Sequence, residues 1–335
     1  MDLRILPWQE KQWNRINQMR SSGRLPHAIL FTGPEGVGME QFLTATCASI
    51  FCELDGADHA CGSCRACLLY QSGNHPDLLR MEPEEPGKAI KVDQIRGLLD
   101  FIHLKSQFDN YRIAVITPAD AMNRNASNAL LKNLEEPPAG VLIILISSFP
   151  GRLPVTIRSR CQVLQFFEVA PGIAKEWLVS QKGHDLAMME DLLSLAPGKP
   201  LLALQEGQGE ALYNQRQVLA DLAETSDTGG DIVATARRWQ DYGTGDVFCW
   251  IMGFMRIGTH LKLQILDKSL EVSANNPCLQ RIADNLSLKE LIDSYDLALD
   301  QYHAVTGAFN LNHSGLLEDF IIHWQSMMNK EEVLR

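Results

Sequence analysis

The chain has 335 residues, 45% of them hydrophobic and 21% charged, a composition that excludes a disordered polymer and leaves room for two or three cores. Its formal net charge of -11 argues against a surface that grips DNA unaided, because duplex affinity comes mostly from Lys and Arg meeting phosphates. The most apolar stretch, residues 247–257, is broken by Arg256 and falls short of a membrane span; MDLRILPWQEKQW has no signal-peptide core, so a cytoplasmic address is expected; and eight cysteines there do not suggest a disulfide framework.

Ala28, Ile29, Leu30 and Phe31 form a short apolar run ending at Gly33-Pro34, which predicts a buried strand. Residues 39–51 follow with helical composition. Residues 112–117 (RIAVIT) and 141–147 (VLIILIS) are continuous and rich in β-formers, as strands covered on both faces are. Between them Ala126, Ala129, Leu130 and Leu134 recur at helical spacing until Pro137-Pro138 stops the helix. Alternating β and α units predict a mostly parallel sheet with helices on both faces, an α/β domain. The strand pattern ends near Phe167. Residues 167–209 read as a compact helical segment with a turn at Ala196-Pro197-Gly198, and the polar stretch 205–210 reads as a linker. The remainder reads as all-helical. Its best-marked helix opens on a capping box, Ser287 with Glu290, and carries an apolar stripe of Leu288, Leu291, Ile292, Tyr295 and Leu299. The isolated cysteines Cys47, Cys249 and Cys278 are expected as small core residues.

After the first strand stands Gly33-Pro34-Glu35-Gly36-Val37-Gly38-Met39-Glu40, opening a helix, which is the setting of a phosphate-binding loop. The glycines Gly33, Gly36 and Gly38 are in place. Met39 and Glu40 occupy the positions where a working loop has Lys for the phosphates and Ser or Thr for Mg²⁺. Ile116, where an acidic pair should follow to hold the metal, is followed by Thr117-Pro118. A carboxylate facing a triphosphate is repulsive by about 4 kcal/mol per charge pair at 4 Å and an effective dielectric of about 20. Both alterations together predict a loop that does not hydrolyse ATP.

Cys52, Cys61, Cys64 and Cys67 form C-x8-C-x2-C-x2-C directly after that helix. Tetrahedral zinc takes four such thiolates, and C-x2-C turns bring two of them onto one ion. An iron–sulfur cluster is the second option, although the Cys-Pro ending of ferredoxin runs is missing, and unpaired buried cysteines are the third. Four cysteines leave no open coordination position, so the metal would be structural. Arg65 is the one Lys or Arg between Cys52 and Cys67, which speaks against a zinc module that binds nucleic acid by itself.

Further motifs appear in order: Pro26-His27-Ala28, the altered loop, the cysteine insertion, His75-Pro76-Asp77 and Ile90-x-Val92-Asp93-x-Ile95-Arg96. Asn128-Ala129-Leu130-Leu131-Lys132-x-Leu134-Glu135-Glu136-Pro137-Pro138 and Leu153-Pro154-x-Thr156-Ile157-x-Ser159-Arg160-Cys161 complete the series. In these residues the chain resembles the bacterial DNA polymerase III clamp-loader subunits, an AAA+ family, through almost the whole first half. The resemblance implies an AAA+ domain over 1–166 with a zinc-binding insertion at 52–67, a small helical lid over 167–209 and a helical collar over 210–335. Residues that carry the resemblance in the last part are sparse, mainly Thr306-Gly307 and Asn310-Leu311-Asn312. It implies a place in a five-membered ring with gamma/tau-type ATPase and delta-type subunits, acting on a sliding clamp and primed DNA through the assembled ring. Loss of the Lys, the hydroxyl and the acidic pair, with the cysteines and Ser-Arg-Cys retained, resembles the family's non-hydrolysing members. Leu201 in place of an arginine after Gly198 agrees. Arg160 is implied to be an arginine finger that reaches the γ-phosphate of ATP in a neighbouring subunit. Arg158 stands beside it as a possible substitute. The rival readings are an active clamp-loader ATPase, a zinc module outside replication and a degenerate AAA+ adaptor of another assembly.

Overall fold

Continuous apolar runs that are buried on both faces make central strands, and three of them do so here. The computed structural model of the chain describes residues 3–54, 58–85, 87–108, 110–181, 193, 196, 198–206, 211–224, 231–264, 276–306 and 312–328. Within its first compact unit, Met1–Glu168, strands β1 (Ala28–Thr32), β2 (Leu78–Met81), β3 (Arg112–Ile116), β4 (Val141–Ser147) and β5 (Gln162–Gln165) form one parallel sheet. Their order is β2-β3-β4-β1-β5. Every residue of β1, β3 and β4 is buried, so both faces of the centre are covered. The expected α/β architecture therefore holds. The edge strands β2 and β5, largely unburied, carry no continuous apolar run and were not anticipated.

Helices α1 (Glu10–Ser21), α2 (Met39–Phe51), α3 (Arg65–Gln71), α4 (Val92–Ile102), α5 (Arg124–Glu135) and α6 (Val155–Arg158) connect and cover these strands. The N-cap of α5 is Asn123, whose side chain accepts from the Ala126 amide at 2.8 Å, and the helix ends before Pro137-Pro138 as expected. His27, from the Pro-His-Ala motif, reaches the other end of α5 and bonds the Leu134 carbonyl at 2.9 Å. One core joins α4 and α5 to the sheet through Ile95, Leu98, Leu130, Leu134, Ile143 and Ile157.

The His-Pro-Asp motif is a structural corner. Asp77 is fully buried and accepts from Arg112 Nη2 at 3.0 Å, Ser106 Oγ at 2.9 Å, and the amides of Gln107 and Phe108 at 2.9 and 3.2 Å. Arg112 also lies 4.5 Å over the Phe101 ring and donates to the carbonyls of Phe101 and Lys105. A buried charge with this many partners fixes the segment between α4 and β3. His75 stacks on Phe51 at 3.7 Å, and burial pushes its pKa down.

The second unit, Val169–Arg335, is helical throughout its described residues: α7 (Pro171–Ser180) and helices Pro200–Glu206, Ala211–Glu224, Ile232–Asp241, Thr244–Lys262, Pro277–Asn285, Leu288–Thr306 and His313–Met328. Trp239, Phe248, Phe254, Phe320 and Trp324 fill its core. The indole N–H of Trp324 donates to the Leu222 carbonyl at 3.0 Å, and that of Trp239 to Asp221 at 2.8 Å. The expected capping box is present: Ser287 N donates to Glu290 at 2.9 Å, and Glu290 N to Ser287 Oγ at 3.3 Å.

Several expectations need correction. Ile292 is exposed, and the buried line on its helix is Leu291, Ser294 and Ala298. Leu291, not Ile292, faces the helix Thr244–Lys262, where a Cβ on Gly258 would stand 3.2 Å from Leu291 Cδ2. Buried Ser294 lies 3.7 Å from Met327 Sδ of the helix His313–Met328, and its hydroxyl is satisfied by the Glu290 carbonyl at 2.7 Å. Cys249 is exposed and Cys278 only half-buried; of the three isolated cysteines Cys47 alone is a core residue. The expected linker starts too early, since Pro200–Glu206 is helical; 207–210 lie outside the described residues, as do Pro197, Gly307, Asn310 and Leu311. Among the described residues no helix is long and apolar enough to cross a membrane.

Removing one partner of the buried pair leaves the other as an uncompensated charge. Asp77→Ala is expected to destabilise the first unit by about 3–5 kcal/mol, read as a lower urea midpoint with unchanged slope.

Candidate functional site

The loop after β1 has phosphate-loop geometry. Gly36 and Gly38 have φ of 80° and 89°, and Gly38 is the N-cap of α2, so the free amides of that helix face an anion-receiving end. Gly33 is required by packing: a Cβ there would lie 2.7 Å from the Phe166 carbonyl just beyond β5. The back of the loop is tied to the N-terminal segment. Trp8 Nε1 donates to the Val37 carbonyl at 2.9 Å, and the buried Gln9 amide donates to the Gly38 carbonyl at 2.7 Å. Beneath it Phe31, Phe42 and Phe166 pack edge to face, with centroids 5.1 to 5.6 Å apart.

The altered positions are occupied from within the chain. Met39 is buried and carries no charge toward the loop. Glu40 lies in the first turn of α2, where the helix dipole favours an anion. One of its oxygens accepts from Thr117 Oγ1 at 2.9 Å, and the other pairs with Arg80 Nη2 at 2.9 Å. Thr117 is the residue at the expected acidic position after β3. Arg80, on β2, also pairs with Glu82. The sequence reading missed Arg80, because β2 mixes polar and apolar residues and its partner Glu40 lies far away in sequence. Asp120, in the turn after Thr117-Pro118, accepts from Ser147 Oγ at the end of β4 at 2.5 Å, so a second side-chain bond closes the same end of the sheet.

The four cysteines come together as expected. Their sulfurs all lie within 4.8 Å of one another, with Cys61 and Cys67 at 4.0 Å. Tetrahedral thiolates around zinc at 2.3 Å stand about 3.8 Å apart, so the set fits such an ion with little adjustment. Cys52 caps the C-terminus of α2, Cys64 is the N-cap of α3, and Cys67 is buried within α3. The amides of Cys61, Cys64 and Cys67 donate to the sulfurs of Cys52, Cys61 and Cys64 at 3.3, 3.3 and 3.4 Å. Backbone N–H groups of Ser63 and Cys64 hold the Cys61 thiol down to about 6, while burial pushes Cys67 up. The insertion is docked on α1: His59 stacks on Trp13 at 5.0 Å, and Trp13 meets Phe42 edge-on at 5.9 Å.

Arg160 lies two residues beyond the end of α6 and two before β5. Ile157 is fully buried on one side of it, and Cys161 packs on the same core on the other, its thiol pushed up to about 12 by burial. The guanidinium pairs with Glu135 and donates from Nη1 to the Thr156 carbonyl at 2.9 Å. Arg158 is half-buried, and its Nε has no hydrogen-bond partner among the described residues. The sequence reading did not single out Glu135 as a partner.

These residues stand beside similar ones in known proteins. The family profile described as DNA polymerase III, delta subunit, matches residues 8–170. The DNA polymerase III subunit delta' of Pseudomonas aeruginosa is 34% identical over 331 residues, covering 96% of this chain and 98% of that protein. The delta' subunit of Bacillus subtilis is 40% identical over 180 residues, 50% of this chain and 54% of its own. The DNA polymerase III subunit tau of Salmonella typhimurium is 36% identical over 146 residues, 44% of this chain and 22% of its own.

Proposed function

The chain belongs to the family of DNA polymerase III delta' subunits, and from that premise we propose that it is a clamp-loader subunit with an inactive nucleotide site that completes the site of a neighbour. The observation that carries the first half is Glu40. Its carboxylate is engaged by Thr117 and Arg80 at the end of α2 where a working loop receives phosphate and Mg²⁺. An incoming triphosphate would meet negative charge and find neither the lysine nor the acidic pair that its chemistry requires. Purified chain is expected to release phosphate from ATP at background rate, measured with and without Mg²⁺. Turnover that disappears on substituting Gly36 would refute this reading.

In this reading the first unit is the AAA+ domain, and the second divides near residue 209 into a helical lid and a collar. The partners are gamma/tau-type ATPase and delta-type subunits, with the sliding clamp and primed DNA engaged through the ring. The net charge of -11 agrees with DNA being held by other subunits. The compartment is the cytoplasm.

The metal is zinc, held by Cys52, Cys61, Cys64 and Cys67. It would supply structural cross-linking and no open coordination position. One equivalent of zinc per chain is expected by elemental analysis of protein purified without chelator. Cys64→Ser should loosen the insertion and its stack on Trp13 while leaving the sheet folded. An iron signal with visible absorbance would instead establish a cluster.

Arg160 is the arginine finger. Its donors are placed on the surface of the first unit just before the edge strand β5 and serve a γ-phosphate bound by the adjacent subunit, where charge develops during transfer. Arg160→Ala should leave the chain folded and the ring assembled but lower DNA- and clamp-stimulated ATPase. At the one site it completes, the loss is on the order of 10³–10⁵-fold by analogy with GTPase fingers. Arg160→Lys should rescue poorly, since an ammonium lacks the planar fork. The measurement is steady-state hydrolysis by rings reconstituted with each variant.

A further inference from the structure

The side chain that holds Arg160 within its own chain is Glu135. Glu135 is the last residue of α5, and its carboxylate pairs with Arg160 Nη2 while Nη1 donates to the Thr156 carbonyl at 2.9 Å. The fork has five N–H groups, so most of it stays available to an outside acceptor while these two contacts set its direction. Both bases of the pair are rigid. Leu134 beside Glu135, and Ile157 and Cys161 around Arg160, pack on one core, and His27 bonds the Leu134 carbonyl.

Helix stability does not account for an acid at this place. The C-terminal end of a helix carries partial negative charge and disfavours a carboxylate. Nor does the pair add much to folding, because its side chains are 34% and 51% exposed and an ion pair in that setting is worth little. What it does accomplish is restriction of a long side chain that would otherwise sample many rotamers.

Resting on the reading of Arg160 as a finger in trans, we infer that Glu135 is its positioning residue: it orients the guanidinium so that the free edge of the fork faces the triphosphate of the neighbouring subunit. The carboxylate touches no nucleotide itself. Its effect passes entirely through Arg160, and that distinguishes it from a residue that merely supports the fold.

The experiment uses reconstituted rings shown by gel filtration to contain each variant, with DNA- and clamp-stimulated ATPase as the readout and the melting temperature of each free variant as control. Glu135→Ala should lower the rate by about 2–5-fold, the scale of one half-exposed ion pair. Glu135→Gln, which keeps an acceptor oxygen, should lower it less. The double variant Glu135→Ala, Arg160→Ala should be no slower than Arg160→Ala alone, because residues acting as a unit are not additive. Full activity of Glu135→Ala where Arg160→Ala is impaired overturns the positioning role, and so does an additive loss or a gain in rate. Full activity of Arg160→Ala removes the finger reading, and the inference falls with it.

Discussion

β1 pairs with β4 on one side and with β5 on the other, all parallel, and the glycine loop and Arg160 are placed by that arrangement. Parallel strands deliver their C-terminal ends to one edge of the sheet, where α/β proteins place their ligands. The glycine loop leaves β1 there, Thr117 leaves β3, and Ser147 ends β4. Phe166 leaves β5 at the same edge, and its amide donates to the Thr32 carbonyl at 2.7 Å, which brings it against Gly33. Arg160 stands before β5 and so belongs to the other end of that strand. One sheet thus places the glycine loop and Arg160 at opposite ends of its strands.

At the edge where β1 ends, the glycine turn leads into α2 with Met39 and Glu40 in its first turn. Left-handed Gly36 and Gly38 are still held by bonds from Trp8 and Gln9 to the loop carbonyls, so the turn serves the packing of the N-terminal segment whatever it binds. The anionic end of the interaction is supplied by Glu40. A helix N-terminus attracts negative charge, and a carboxylate one turn inside it answers that attraction permanently. Arg80 and Thr117 then take up the carboxylate's own two oxygens. A polar pocket without a ligand would leave groups unsatisfied; here the donors and acceptors close on each other.

How much of this was legible in the sequence follows from burial. β1, β3 and β4 are covered on both faces, and a strand so placed must be a continuous apolar run, which can be read directly. β2 and β5 are edges, where LLRM and QVLQ mix polar and apolar residues, and nothing in them separates a strand from a loop. The cysteine cluster was legible because short C-x2-C turns at that spacing bring thiols together. Glu135 and Arg80 were not, because a partner across space leaves no periodic trace: Arg80 stands 40 positions from Glu40, and Glu135 25 from Arg160. The stripe on the helix Leu288–Thr306 misled for a related reason. Apolar residues mark a face, but the buried face is set by the neighbouring helices: Leu291 meets Gly258 and Ser294 lies near Met327, while Ile292 turns outward.

Three arginine–carboxylate pairs in the first unit show how one chemistry is given different work by its surroundings. Arg112 and Asp77 are 5% and 0% exposed, and separating them strands a charge away from water. Such a pair cannot be exchanged for another partner during a functional cycle. Arg80 with Glu40 and Arg160 with Glu135 are each about one-third to one-half exposed, so water compensates much of the cost of opening them. They differ in what else holds the carboxylate. Glu40 has Thr117 as a second partner and the dipole of α2 behind it, which makes the pair a closure of its own pocket. Glu135 sits at the unfavourable end of its helix and is half-exposed, and Arg160 is the partner that holds it. Burial and helix polarity, rather than the identity of the paired residues, decide that one pair is sealed into the fold, one is closed by a second partner and one stays open to water.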